Sequence, residues 1–334
     1  MSGFGVEEGR LGSLETLHLT DSGSGSSAVV ARRGATLLSW DSAIVGGGNI
    51  DGYVDEDELV SQDGVRSGVM APFSNRVRNG TYRFDGEQHD LLPGVPEGER
   101  RIYHGFLRGM DCDVVSADAT ETEVRVHLAT RKIRPGTFAG YPFAVDLEVT
   151  YILSGAGLTL KITGRNVGDR AAPYGSGWHP YFRVGTHDID RLELHVPAQT
   201  AIRTDDELIP LDGERAFVPV TEHDRPTFGT PAVLGDAVID AAYTDLVPDP
   251  DGVTRTRVRD PETGLALTIW QRGGNIMHVF TGDTVAREPR TSIALEPVEL
   301  MTDAFNRPDC QDALTLLPGA QRDFVCGVDA SADH

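Results

Sequence analysis

His179 stands in the stretch GWHPYF, between an indole and a proline, with Gly175 and Gly177 just ahead of it. A histidine so placed can be a packed core residue, a metal ligand or a proton carrier, and its ordinary pKa of about 6.5 suits the last role. Glu296 follows the apolar run Ile293-Ala294-Leu295 and directly precedes Pro297. Burying a carboxylate there is costly without a task, because desolvation disfavours the charged form. The plainer alternative is pairing with an arginine. His104 precedes Gly105, a residue that lets the backbone come close to another group. Asn75 and Arg76 set an amide beside a guanidinium ahead of an Asn-Gly turn, or else Arg76 and Arg78 form a solvated pair. His104, His179 and Glu296 are residue types that would suit zinc, yet they lack the close spacing of most such sites.

The totals narrow the classes. The chain has 334 residues, with 51 acidic and 30 basic side chains and a formal charge of -21. Such a surface repels phosphate backbones and anionic headgroups, so neither nucleic acid nor membrane is an expected partner. Cys112, Cys310 and Cys326 form an odd, widely spaced set without a C-x-x-C pair, which points to reduced thiols. No signal-like start and no apolar run of about 18 residues is present, so a soluble cytoplasmic protein is expected. Phosphate-binding loops, dinucleotide fingerprints, H-E-x-x-H and G-x-S-x-G are all missing.

These side chains need a scaffold, and the dominant rhythm has a period of two. VRVHLAT, FAVDLEVTYIL, LTLKITGRNV, LELHV and LALTIWQ alternate apolar with polar or small residues, each bounded by turn formers. Asn79-Gly80 and Asp85-Gly86 are tight-turn dipeptides flanking Thr81 to Phe84, which reads as a three-strand meander. No helical stripe persists over three turns. The expected fold is all-β, one large antiparallel β-sandwich domain over residues 1–334. Residues 1–12 are expected to be loose, and the acidic, glycine-rich stretch 45–66 to be a surface loop or insertion.

NRVRNGTYRFDG, HGFLRG, GWHPYF, DAAYTDL, HVFTGD and LEPVELMTDAFN, in this order, resemble the motif set of the aldose 1-epimerase (galactose mutarotase) family. They run from about residue 72 to 307, most of the chain. The resemblance implies a galactose mutarotase-type sandwich that binds a free monosaccharide and interconverts its α and β anomers without a cofactor or metal. It implies Glu296 as general base, His179 as general acid, and His104 as a group that holds the ring oxygen or assists the acid. Arg76 and Asn75 would bind sugar hydroxyls, Asp240 would clamp others with Asp245 as the fallback, and Trp178 would form a wall. His278 stands where members commonly carry a glutamine that touches substrate. Opening a cyclic hemiacetal requires an acid and a base on neighbouring oxygens, each with a pKa near neutrality. Glutamate and histidine form such a pair once burial raises the carboxyl. A hexose-6-phosphate 1-epimerase, with Arg78, Arg108 or Arg183 as a phosphate clamp, and a non-catalytic carbohydrate-binding protein are the alternatives. Monomer and homodimer both stay open.

Overall fold

Alternation becomes a two-sided strand wherever it runs unbroken. In Val145–Ser154 every second residue is buried, because successive side chains on a strand point to opposite faces. The computed structural model describes residues 3–155, 157–185, 189–222 and 228–332. All five alternating segments lie on strands of its larger sheet. The order in that sheet is Ala232–Val233, Glu193–His195, Thr254–Arg259, Leu265–Arg272, Gln321–Ala332, Gly157–Asn166, Val145–Ser154, Glu123–Ile133 and Asp113–Ala119.

A second sheet runs Phe217–Pro219, Ala198–Ile202, Asp240–Leu246, Ile276–Phe280, Ile293–Val298, Gly177–His179 and Gly68–Met70, with Tyr181–Phe182 also paired to Ile293–Val298. Neighbouring strands in both sheets pair antiparallel. One contiguous apolar cluster takes Leu128, Leu147, Leu160 and Phe324 from the first sheet and Val69, Trp178, Val279 and Leu295 from the second. The protein is an antiparallel β-sandwich.

Three expectations are corrected. Of the stretch 1–12, residues 1–2 lie outside the described residues. The rest is not loose: Phe4–Leu11 pairs with Leu14–Asp21 over its whole length. Its glycines mark crowding, since a Cβ on Gly9 would meet His18 Nε2 at 2.4 Å. The Asn79-Gly80 turn joins no strands. Arg78–Gly80 is a single 3-10 turn, and only Thr81–Phe84 and Glu87–Asp90 form a hairpin. The stretch 45–66 is structured as well. It folds into the helix Glu56–Ser61, capped by Asp55, whose carboxylate accepts from the N–H of Glu58. Beyond it, Arg66 is buried and donates to the equally buried Asp51, which also accepts from Ser292 at 2.7 Å.

Candidate active site

Four strands of the second sheet carry the chemistry. His278 faces Glu296 across Ile276–Phe280 and Ile293–Val298. The register that pairs Gly177 with Val298 and Tyr181 with Ala294 brings His179 opposite Glu296 on the other side. Asp240 pairs with Phe280, diagonal to His278. Even spacing along each strand therefore puts Asp240, His278, Glu296, His179 and Tyr181 on one face. Trp178 must point the other way, and it does: it is fully buried in the core, edge-on to Phe182. The expected wall is supplied instead by Tyr181, stacked on His179 at 5.2 Å between ring centres, and by Phe280. Tyr181 lies two residues beyond His179, which is the signal that could have found it.

Asn75, Arg76 and His104 come from irregular backbone that closes over the sheet. The segments meet at isolated bridges, Ala71 with Gly105 and Arg76 with Tyr103, and His104 N–H donates to Asn75 O at 2.9 Å. Asn75 and His104 both have positive φ, 55° and 63°. Left-handed conformations cost side-chain-bearing residues energy and collect at functional sites. Asn75 Oδ1 accepts from the backbone N–H of Arg76 at 2.8 Å and from its Nη1 at 3.2 Å, aiming the guanidinium. Gly105 is required here: its φ is +67° and a Cβ would lie 2.2 Å from Ala71 O. Gly105→Ala is expected to lose well over the 1–2 kcal/mol that a left-handed alanine costs. Gly86→Ala, at φ +79° in open space, should lose about 1 kcal/mol. Urea melts of the two variants check this; equal losses would show that the contact with Ala71 is relaxed without cost.

Together these groups line a cavity of about 440 Å³, which Gln62, Gly64 and Val65 also wall; small-molecule pockets span about 300–1,000 Å³. Tyr181 ties that wall to the sheet by donating to Gly64 O at 2.8 Å. Asp245 is not at the site. It is exposed near the far end of Asp240–Leu246 and accepts from Thr200. The phosphate-clamp candidate Arg183 is engaged elsewhere, by Asp51 and Glu288. Among the described residues, no group of three or more His, Cys, Asp or Glu side chains is placed to hold a metal ion.

His179 Nε2 lies 3.2 Å from Glu296 Oε1, with both side chains buried. Glu296 Oε2 is buried and has no hydrogen-bond partner within the protein. Burial pushes the Glu296 carboxyl up to about 7, although His278 pulls the other way. Burial, with the nearby His278, holds His179 down to about 3. Burial and the neighbouring His179 likewise hold His104 well below the usual range. Burial pushes Asp240 upward, but the hydrogen bond and charge of His278 outweigh it and leave Asp240 low. Near pH 7 the Glu296 carboxyl is thus about half protonated and His179 is neutral, so the proton this pair takes up sits on the carboxyl. Two oxygens of one small molecule can be given and relieved of protons here.

The model of the family described as "Aldose 1-epimerase" matches residues 15–328. The chain belongs to the aldose 1-epimerase family. Its relatives include the uncharacterized protein YihR of Escherichia coli, 26% identical over 71% of this chain and 71% of that one. The uncharacterized protein YphB of the same organism is 25% identical over 82% and 89%. Among solved structures, galactose 1-epimerase of Lactobacillus acidophilus superposes with a TM-score of 0.80 at 17% identity, covering 99% and 98% of the two chains. A galactose mutarotase-like protein of Clostridium acetobutylicum reaches 0.79 at 13% identity, covering 99% of each chain. At those identities the likeness of this aldose 1-epimerase family member to the solved structures is one of fold. Among its described residues no helix is long and apolar enough to cross a membrane.

Proposed function

We propose that the protein is an aldose 1-epimerase that interconverts the α and β anomers of a free aldose. The observation that carries this reading is the 3.2 Å contact between His179 and Glu296, inside a cavity that Arg76 and Asp240 also line. Glu296 accepts the proton of the C1 hydroxyl while His179 Nε2–H protonates the ring oxygen. The C1–O5 bond breaks as the C1–O bond becomes a carbonyl. The aldehyde turns about C1–C2, and the ring closes with the two roles exchanged. Ring opening starts from a carboxylate and an imidazolium and leaves a carboxylic acid and a neutral imidazole. That second arrangement is the one burial favours in the unliganded site, so the resting pair is set to close an open-chain aldose, and the ionic arrangement that opens a ring is the scarcer form. His104, edge-on to His179 with ring centres 5.1 Å apart, holds the ring-oxygen side. Arg76 and Asp240 bind hydroxyls; positioning by such groups is a large share of catalytic effect.

A second reading, a hexose-6-phosphate 1-epimerase, is favoured by one observation. A further cavity of about 410 Å³ shares Arg76 and Tyr103 with the first and is also lined by Arg78, Arg100 and Arg101. Each of those three arginines already faces a carboxylate, on Asp205, Asp90 and Glu207, which supports the unphosphorylated substrate. NMR saturation exchange between anomers, run over a panel of free and phosphorylated aldoses, tests both. Exchange above the buffer rate is expected for at least one free aldose. Exchange of phosphorylated sugars alone would replace the first reading by the second, and binding without exchange would make the protein a carbohydrate-binding member of the fold.

A further inference from the structure

The two-residue proton exchange leaves a third ionisable group beside it unexplained. His278 stands directly opposite Glu296 in the sheet, and its Nε2 lies 2.6 Å from Asp240 Oδ1. Directly opposed residues on neighbouring strands have Cβ atoms about 4.5–5.5 Å apart. The imidazole therefore lies between two carboxyl groups, with its own side chain only 10% exposed. The charged and titratable groups around it are Glu296 from Ile293–Val298, Asp240 from Asp240–Leu246, His179 from Gly177–His179, and Arg76 and His104 from the loops. Burial and Arg76 work against a proton on His278, but Glu296 and Asp240 together outweigh them and raise its affinity above the usual value.

We propose that His278 is a positioning residue: an imidazolium locked by Asp240 that holds the neighbouring Glu296 carboxyl ionisable near neutral pH. This rests on the reading of Glu296 as the proton acceptor and explains how a carboxyl so deeply buried keeps a usable base strength. Without the cation, burial would push the carboxyl higher still, and the ionic form of the His179–Glu296 pair that opens the ring would become scarcer.

Carbon-13 NMR of the Glu296 carboxyl, assigned by its loss in Glu296→Gln, reads the claim directly. The wild-type midpoint is expected near 7. In His278→Gln it should rise by about one pH unit or more, the order of shift an adjacent opposite charge produces. The alkaline limb of kcat/KM should move by the same interval; a purely structural role would leave both in place. An unmoved carboxyl midpoint overturns the proposal. Nitrogen-15 spectra of the wild-type histidines give a reading that does not depend on the variant's folding: His278 should be doubly protonated at pH 7, and a neutral ring at pH 6 would overturn the proposal too. Both titrations are made on the unliganded protein. Failure to exchange any sugar would undo the proposed function and leave them standing, while an ordinary His278 would undo this inference alone.

Discussion

Glu296→Gln is expected to lower kcat for anomer exchange by about 10²–10⁴-fold, the usual worth of a positioned general base, while sugar binding survives. The amide copies the shape of the carboxyl but cannot take the proton of the C1 hydroxyl, so ring opening would have to proceed through a free cation or wait for water. The fold should tolerate the change. Glu296 is buried and its carboxyl is pushed up to about 7, against about 4.3 in an unfolded chain. A raised carboxyl pKa means that the native state binds the proton more tightly than the unfolded state. Stability is therefore lost as pH rises from the unfolded value through the folded one. Above pH 7 that loss is on the order of 3 kcal/mol, and the glutamine variant does not suffer it. The variant should thus melt at or above the wild-type temperature at pH 8 and be nearly inert. Wild-type exchange rates in Glu296→Gln would remove the carboxylate from the mechanism.

His179→Asn should cost a similar 10²–10⁴-fold in kcat, with a smaller change in KM. The variant removes the Nε2–H that protonates the ring oxygen and the ring stacked on Tyr181. Added imidazole should restore part of the rate by entering the space left behind. The double variant with Glu296→Gln is the sharper test. Groups that act as one unit are strongly non-additive, and the two side chains are in direct contact at 3.2 Å. The pair should therefore be little slower than either single variant. A loss equal to the product of the two would mean that they serve separate steps and would falsify the concerted exchange.

Most of the sandwich was legible because unbroken alternation has one structural meaning. Segments such as Val145–Ser154 bury every second residue as the pattern requires. Isolated dipeptides were less faithful. Asn79-Gly80 and Asp85-Gly86 both take positive φ, but only the second joins two strands, since turn chemistry does not say what flanks it. The glycine-rich, polar composition of residues 1–12 reads as loose, but composition does not report strand pairing, and Phe4–Leu11 is held residue by residue against Leu14–Asp21.

In the site, Glu296, His179, Asp240 and His278 could be gathered from their motifs, and Arg76, Asn75 and His104 with them. Trp178 was misplaced for a reason visible in three letters: Trp178 and His179 are consecutive on a strand, so they cannot share a face. Asp245 failed as the alternative to Asp240 because it lies at the opposite end of the same strand. The wall built by Gln62, Gly64 and Val65 lies in an acidic stretch whose anchor, the buried Arg66–Asp51 pair, joins residues 15 apart and is completed by Ser292 from a distant segment, which no local pattern signals.

Two kinds of scaffold thus share one cleft. The proton-handling side chains sit on rungs of a hydrogen-bonded ladder, where a slip of one place would turn every one of them toward the core. The rim at 62–65 rides outside that ladder, where replacement is better tolerated, while Asn75 and His104 are held over it by left-handed backbone and the close approach of Gly105 to Ala71. On the proposed function, a change of sugar would be written in the rim, while the proton exchange would stay fixed in the ladder.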